Sequence, residues 1–149
     1  MYRKDEKEYY TWKDYSKDMK LIESLEFDHV IGIYRGSLGM AAHISNVKNV
    51  PMSIIGLQSR DGADKMPYPI YNILRSSHPW AKRILVVDDI YDTGFTMNKV
   101  IKLVKYWQPE CEVFGFCLFG KSNDNDITFA QEHDGSWIVF PWETLDESV

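Results

Sequence analysis

Residues 83–96 read Arg-Ile-Leu-Val-Val-Asp-Asp-Ile-Tyr-Asp-Thr-Gly-Phe-Thr, and this stretch decides the fold. Residues 84–87 are all apolar, and three of the four are β-branched. Such a short run is typical of a strand that is buried on both faces in a parallel sheet. Two carboxylates follow, and a buried, unpaired carboxylate is costly. We therefore predict that the strand ends at Asp88 and Asp89, in the crevice where open α/β sheets bind ligands.

The residues after the acidic pair predict a helix with an anion site at its start. A tight loop contains Asp92, Thr93, Gly94 and Thr96, and apolar residues then recur at helical spacing with lysines between them. Thr93 is the expected N-cap. Hydroxyl groups, a glycine and backbone N–H groups at a helix N-terminus make a ready phosphate site. The helix dipole contributes only about 0.3–1 kcal/mol, so these donors must supply most of the affinity.

This succession of strand, acidic pair, loop and Asp-Thr-Gly-Phe-Thr resembles the phosphoribosyl pyrophosphate motif of type I phosphoribosyltransferases. The resemblance implies an α/β fold with a doubly wound, mostly parallel sheet flanked by helices, and a small hood from the C-terminal segment. It implies that Asp88 and Asp89 hold the ribose hydroxyls and Mg²⁺, and that Asp92 is the catalytic base. The residues that it assigns to the 5′-phosphate are Thr93, Gly94, Phe95 and Thr96. The alternative is a doubly wound domain with acidic strand ends and no such substrate.

An Arg-Gly turn follows the first predicted core strand, at residues 27–34. Arg35 is a bidentate donor suited to phosphate oxygens, and Gly36 lets a backbone approach a ligand closely. Alone, such a turn is usually only a turn. Beside the central motif it is similar to the Arg-Gly-Gly loop that holds pyrophosphate in this family, with Ser37 in place of the second glycine. We expect Arg35, Gly36 and Ser37 to contact phosphoribosyl pyrophosphate. We also expect Ser37 to allow the loop fewer backbone conformations than a glycine would.

Helices are also predicted at 15–25 and 40–47, and strands at 51–57 and 112–119. Residues 58–80 show no clear periodicity and hold three of the six prolines. A stretch of that length in a compact domain is usually a functional loop. The family resemblance implies that it closes over the active site, with Arg60 and Lys65 reaching pyrophosphate. A solvated surface loop is the alternative for either residue.

Residues 137–143 read Trp-Ile-Val-Phe-Pro-Trp-Glu and resemble the C-terminal end of the xanthine-guanine and archaeal hypoxanthine purine phosphoribosyltransferases. Trp137 offers a flat face for stacking on a base, and the neighbouring backbone, at Ile138, can recognise base edges. Core packing is the alternative for Trp137. Lys121 follows a predicted strand, and it matches the lysine that meets the purine 6-oxo group in those enzymes.

Composition favours a single cytoplasmic domain over residues 1–149. The hydrophobic content of 44% suffices for a core. The sequence contains no run of 18 apolar residues, so we predict no transmembrane helix. Cys111 and Cys117 lack metal or redox spacing, which favours reduced thiols. The net charge of −5 gives no general attraction to nucleic acid. Abundant aromatic residues and the family resemblance indicate a homodimer or homotetramer.

The expected function is a purine phosphoribosyltransferase of purine salvage that uses Mg²⁺. It would transfer the phosphoribosyl group of phosphoribosyl pyrophosphate to a 6-oxopurine and release pyrophosphate. Two alternatives stay open. One is a non-catalytic regulator of the same fold that binds a nucleotide, and RNA through Lys99, Lys102 and Lys105. The other is a phosphoribosyltransferase for another base, such as a pyrimidine.

Overall fold

The computed structural model describes residues 1–60, 64–69, 81–121 and 126–149, with the backbone alone at 58–60 and 64–69. The strands are β1 Tyr2–Lys4, β2 Lys7–Tyr9, β3 His29–Tyr34, β4 Met52–Arg60, β5 Asp64–Pro69, β6 Arg83–Tyr91, β7 Glu112–Gly120, β8 Ile127–Glu132 and β9 Trp137–Val139. The helices are α1 Trp12–Asp18, α2 Leu38–Lys48 and α3 Phe95–Trp107, and 3₁₀ turns cover Met19–Ser24 and Pro141–Glu143. None of the helices in this described part is long and apolar enough to cross a membrane.

A six-stranded sheet in the order β5-β4-β3-β6-β7-β8 forms the centre of the molecule. Five of its strands, β4, β3, β6, β7 and β8, are parallel, and β5 pairs antiparallel with β4 at one edge. Helix α2 connects β3 to β4, and α3 connects β6 to β7. The mostly parallel α/β architecture predicted from the central motif is therefore confirmed.

The two faces of the central strand β6 belong to two separate cores. Leu85 and Val87 pack on the face that is covered by α1 and α2, whereas Ile84 and Val86 pack on the face that is covered by α3. The buried residues of α3 are Met97, Val100, Ile101 and Val104. Because helices cover both faces, every residue of β6 from 84 to 87 is apolar, as the sequence pattern indicated.

A second, three-stranded sheet forms a hood with the order β1-β2-β9. The C-terminal strand β9 was the expected part, and the N-terminal hairpin β1–β2 supplies the other two strands. The hairpin turns at Asp5 and Glu6, which both have positive φ (50° and 61°), as a two-residue type I′ turn requires. Tyr10 anchors the hood, since its N–H donates to Val139 O (3.0 Å) and its hydroxyl donates to Asp18 Oδ2 (2.8 Å).

The loop expected at residues 58–80 contains strand residues and is corrected accordingly. Strand β4 continues to Arg60, and β5 returns antiparallel to it, with Ser59 opposite Lys65. Pro67 and Pro69 interrupt the alternating pattern by which β5 could have been recognised in the sequence. An edge strand tolerates proline because the N–H groups on its outer side need no partner. Arg60 and Lys65 therefore lie in paired strands. Residues 61–63 and 70–80 lie outside the described residues. The expected closure of this segment over the active site therefore stays a prediction.

Candidate active site

The acidic pair lies where the sheet opens. Strand β3 pairs with β6 only as far as Gly32 and Val87, whereas β7 stays paired with β6 as far as Tyr91. The prediction that the strand ends at the acidic pair was wrong, because the pairing with β7 extends the strand to Tyr91. Asp88 and Asp89 therefore lie on a strand that is flanked on one side only, and the open side is the crevice.

Both carboxylates of the pair accept hydrogen bonds from the strand itself. Asp88 Oδ1 accepts from Asp89 N (3.0 Å), and Asp89 Oδ1 accepts from Ile90 N (2.8 Å). Burial raises the pKa of Asp89, and the carboxylate of Glu143 raises it further. The negative charge of Asp89 is therefore costly in this position, and a bound cation would stabilise it.

The Arg-Gly turn packs directly against this acidic strand. A Cβ atom placed on Gly36 would lie 2.1 Å from Asp89 Oδ2 and 2.9 Å from Asp89 Cγ, so only glycine fits there without movement. Arg35 follows a cis peptide bond from Tyr34 and is exposed to solvent. The turn and the acidic pair, which are about fifty residues apart in the sequence, thus form one wall of the crevice.

Ser37 does not point into the crevice. The side chain is fully buried, and its Oγ lies 2.6 Å from Ile33 O and 2.9 Å from Val87 O. The hydroxyl carries one proton, so it can donate to only one of these two carbonyl oxygens at a time. The hydroxyl joins the ends of β3 and β6 and does not line the cavity. The contact of Ser37 with phosphoribosyl pyrophosphate therefore stays a prediction, and it could involve only the backbone of this residue.

Helix α3 begins one residue later than expected. Its N-cap is Gly94, with φ 78°, and not Thr93. Gly94 has a left-handed backbone, so the helical conformation starts only at Phe95. Glycine suits this position for a second reason as well, because a Cβ atom on it would lie 2.2 Å from the hydroxyl of Tyr91. Thr93 Oγ1 accepts from Phe95 N at 3.3 Å, so the threonine still satisfies one N–H group of the first turn. Asp92 and Thr93 are both exposed at the mouth of the crevice.

A cavity of about 590 Å³ occupies the crevice. It brings together eleven of the residues that the sequence proposed for the site. They are Arg35, Gly36, Asp88, Asp89, Asp92, Thr93, Gly94, Phe95, Thr96, Trp137 and Ile138. Ser37 and Lys121 are described by the structure but do not line the cavity.

Lys121 follows the last residue of β7 and does not line the cavity. Its Nζ lies 3.4 Å from Glu132 Oε1, and both side chains are about three-quarters exposed. An exposed ion pair of this kind stabilises a fold by only about 0–1 kcal/mol. The pair therefore holds the lysine weakly, and Lys121 is not among the residues that line the cavity.

The segments on either side of β9 supply cavity residues that the sequence analysis missed: His133, Ser136, Phe140 and Glu143. Glu143 Oε2 accepts from Phe140 N at 3.0 Å, and this fixes the turn that carries it. Proline at the first turn position and glutamate at the third are a helix-start signal, so Glu143 was detectable in the sequence. His133 and Ser136 follow β8, a strand that was not predicted.

The charge of the described cavity lining is negative. Four carboxylates, at positions 88, 89, 92 and 143, face one guanidinium group, that of Arg35. No cluster of three or more metal-binding side chains occurs in the described part of the chain. A cation that takes one or two carboxylates and completes its shell with substrate oxygens and water suits such a site, and Mg²⁺ is of that type.

Comparisons with known proteins agree with this geometry. A family model for a phosphoribosyl transferase domain matches residues 15–148. The chain belongs to the phosphoribosyltransferase family. A purine phosphoribosyltransferase from Pyrococcus horikoshii Ot3 is 28% identical, with a TM-score of 0.72 over 93% of this chain and 95% of that one. The resemblance to type I phosphoribosyltransferases and the expected fold are thereby confirmed.

Two further proteins are similar to this chain. A xanthine-guanine-hypoxanthine phosphoribosyltransferase from Helicobacter pylori has a TM-score of 0.77 over 93% of this chain and 94% of that one, and at 24% identity it shows the fold alone. The orotate phosphoribosyltransferase of Sulfurisphaera tokodaii is 27% identical over 90 residues. That match covers 60% of this chain and 42% of the orotate enzyme.

Proposed function

We propose that this phosphoribosyltransferase transfers the phosphoribosyl group of phosphoribosyl pyrophosphate to a 6-oxopurine, and so acts in purine salvage in the cytoplasm, as a homodimer or homotetramer. The supporting observation is that one cavity holds the Arg-Gly turn, the acidic strand, the Thr-Gly loop and the Trp137 ring. These four parts suit the pyrophosphate, ribose, 5′-phosphate and base of the two substrates. The similarity to a purine enzyme over 93% of the chain supports a purine base.

Phosphoribosyl pyrophosphate binding follows from the donors and carboxylates of the cavity. The hydroxyl groups of Thr93 and Thr96 and the N–H groups of the first turn of α3 bind the 5′-phosphate. Arg35 pairs with pyrophosphate oxygens through its guanidinium fork. Asp88 and Asp89 accept hydrogen bonds from the ribose hydroxyls.

Mg²⁺ fits the same two carboxylates. Burial and the charge of Glu143 make an ionised Asp89 unfavourable, and a divalent cation offsets both effects. When bound, Mg²⁺ neutralises charge on the diphosphate, so that pyrophosphate is a better leaving group. The two carboxylates are a sufficient protein share, since Mg²⁺ usually keeps waters and substrate phosphates as its other ligands.

The transfer step uses Asp92, which lines the cavity between the acidic pair and the phosphate loop. The bond from C1′ to the pyrophosphate oxygen breaks, and its electron pair leaves with pyrophosphate. A purine nitrogen forms the new bond to C1′, and its proton passes to the Asp92 carboxylate. The carboxylates around C1′ favour the positive charge that develops on the sugar as the leaving bond stretches.

The base is held between the hood and the sheet. Trp137 stacks on the purine plane, and the backbone at Ile138 recognises the base edge. Lys121 would donate to the 6-oxo group after it leaves Glu132, an exchange that costs only about 0–1 kcal/mol for an exposed pair. Orotate carries a carboxylate of its own, and the four carboxylates that line the cavity disfavour an anionic base. This repulsion favours a purine over orotate.

A panel of bases tests the proposal. The protein is mixed with phosphoribosyl pyrophosphate, Mg²⁺ and hypoxanthine, guanine, xanthine, adenine, uracil or orotate in turn, and nucleotide formation is followed. Turnover with 6-oxopurines only is the expected result. Turnover with adenine or a pyrimidine would keep the reaction and overturn the base assignment. Binding of phosphoribosyl pyrophosphate without any turnover would favour the non-catalytic regulator.

No specific observation favours the regulator at present. Ser37 departs from the Arg-Gly-Gly pattern, but its side chain is buried away from the cavity and gives no reason to expect weak turnover. Two of the three lysines proposed for RNA contact have partners within the protein. Lys99 Nζ lies 5.3 Å from the Phe95 ring centroid, and Lys105 Nζ lies 3.7 Å from Asp126 Oδ2.

A further inference from the structure

Lys7 covers one face of the Trp137 ring. Strand β2 pairs parallel with β9, and Lys7 lies opposite Trp137 in that register. Residues that are opposite each other on neighbouring strands extend to the same face of the sheet. The ammonium group of Lys7 accordingly lies over the indole, 5.3 Å from the ring centroid. This is the geometry of a cation–π contact.

The two faces of the indole have different surroundings. Trp137 lines the cavity, whereas Lys7 is described by the structure and does not line it. A planar ligand in the cavity can stack on the ring face that Lys7 does not cover. Trp137 is 69% exposed, so the packing of the hood restrains its ring only weakly.

We propose that Lys7 is a positioning residue of the base site, which holds the Trp137 ring in the orientation on which the purine stacks. The proposal rests on the proposed function, because it needs a base on the opposite ring face. It assigns a role to the N-terminal hairpin, which carries none of the phosphoribosyl pyrophosphate motif.

The hairpin is held firmly enough to present the lysine. Tyr2 and Tyr9 stack across its two strands, with ring centroids 5.0 Å apart and planes within 5°. The amino group of Met1 lies 2.6 Å from Asp14 Oδ2, which ties the start of β1 to α1. Lys7 thus approaches Trp137 from a braced strand and not from a loose terminus.

The size of the effect follows from the population of ring orientations. A ligand that binds only one orientation loses affinity in proportion to the fraction of protein in that orientation. An exposed cation–π contact biases the ring by about 0.5–1 kcal/mol, and at 1.36 kcal/mol per factor of ten this is about two- to fivefold. Removing the charge should therefore raise KM for the base about two- to fivefold, with kcat and KM for phosphoribosyl pyrophosphate unchanged.

The test compares Lys7→Met with Lys4→Met. Lys4 lies opposite Lys7 on β1 and is also exposed, so this control loses the same charge from the same hairpin. The NMR resonance of the Trp137 indole N–H reports the contact with Lys7 independently of enzyme activity. This resonance is assigned by its disappearance in the Trp137→Phe variant. We expect Lys7→Met, and not Lys4→Met, to shift this resonance and raise KM for the base. Lys7→Arg keeps a cation and should restore both readouts.

Three results would overturn the proposal. An unshifted indole resonance in Lys7→Met would mean that the contact does not exist in solution. A shifted resonance with an unchanged KM for the base would mean that the contact does not position the ring for binding. Equal effects of Lys4→Met and Lys7→Met would trace the change to net charge. If the wild-type protein uses no purine, it is the proposed function that fails. The wild-type assay alone shows this, so it is distinguished from a failure of the Lys7 proposal, which needs the variants.

Discussion

Replacing Gly36 by alanine should damage the site through Asp89. The added methyl carbon would lie 2.1 Å from Asp89 Oδ2, and real Cβ atoms essentially never come within 3.0 Å of another heavy atom. The carboxylate or the turn must therefore move by about 1 Å, the scale at which misplaced catalytic groups cost about 10²-fold in rate. Asp89 cannot simply swing aside without cost, because its Oδ1 accepts from Ile90 N.

The expected loss is about 10²-fold in kcat/KM for phosphoribosyl pyrophosphate, or about 2.7 kcal/mol of transition-state stabilisation. Overpacking of this kind also destabilises a fold by about 1–3 kcal/mol. Steady-state kinetics with a saturating base measure the first quantity, and urea denaturation measures the second. Both measurements are needed, because a protein that is partly unfolded would also lose activity.

Gly39→Ala is the matched control. Gly39 lies in the first turn of α2, only three residues from Gly36, and a Cβ atom there meets nothing within 4 Å. Alanine favours a helix over glycine by about 0.5–1 kcal/mol, so this control should be as stable as wild type or more so, and fully active. The double variant Gly36→Ala, Asp89→Ala should be no worse than Asp89→Ala alone. Wild-type kcat/KM in Gly36→Ala would refute the reasoning.

Three further changes probe single groups of the site. Asp92→Asn should lower kcat about 10²–10⁴-fold and keep the affinity for phosphoribosyl pyrophosphate, measured by calorimetry, because only the proton acceptor is lost; undiminished turnover would exclude Asp92 as the base. Ser37→Ala should destabilise the protein by about 0.5–1.5 kcal/mol in urea denaturation and leave substrate affinity intact, since its hydroxyl bonds only Ile33 O and Val87 O; a selective loss of affinity would restore the direct contact. The pKa of Asp89 is raised by burial above the usual 3.8, so its contribution to stability is greatest when it is protonated and is lost as pH rises through the raised pKa. Asp89→Asn should therefore be more stable than wild type at pH 7, with a smaller decline from acid to neutral pH; an equal or lower stability at pH 7 would contradict this.

The strand and helix that carry the proposed phosphoribosyl pyrophosphate site were predictable because their sequence signals are local. The apolar run at 84–87 indicated a strand buried on both faces, and the structure places helices on both sides of it. The helical stripe that includes Met97 and Val104 indicated α3, and these residues are its buried ones. Each pattern depends on a period of a few residues within one element, so no knowledge of the rest of the chain was needed.

Other features depended on partners that are distant in the sequence. The end of β6 is set by β7, which keeps pairing as far as Gly120, and not by the polarity of the acidic pair. The direction of Ser37 is set by two carbonyl oxygens, four and fifty residues away. None of these constraints has a local period or a turn signal.

The base half of the site has the weakest sequence signal for a physical reason. Strand β9 has only three residues, and a strand of that length is not stable without partners. Its partner is a hairpin from the opposite end of the chain, whose turn contains neither glycine nor asparagine and whose strands are polar. Trp137 therefore owes its position to pairing across the whole length of the chain. None of the residues that we assign to phosphoribosyl pyrophosphate lies in the two chain ends, so we expect changes there to leave its binding intact. Base preference should accordingly respond to changes in the hairpin, and phosphoribosyl pyrophosphate affinity to changes in the acidic strand and the Arg-Gly turn.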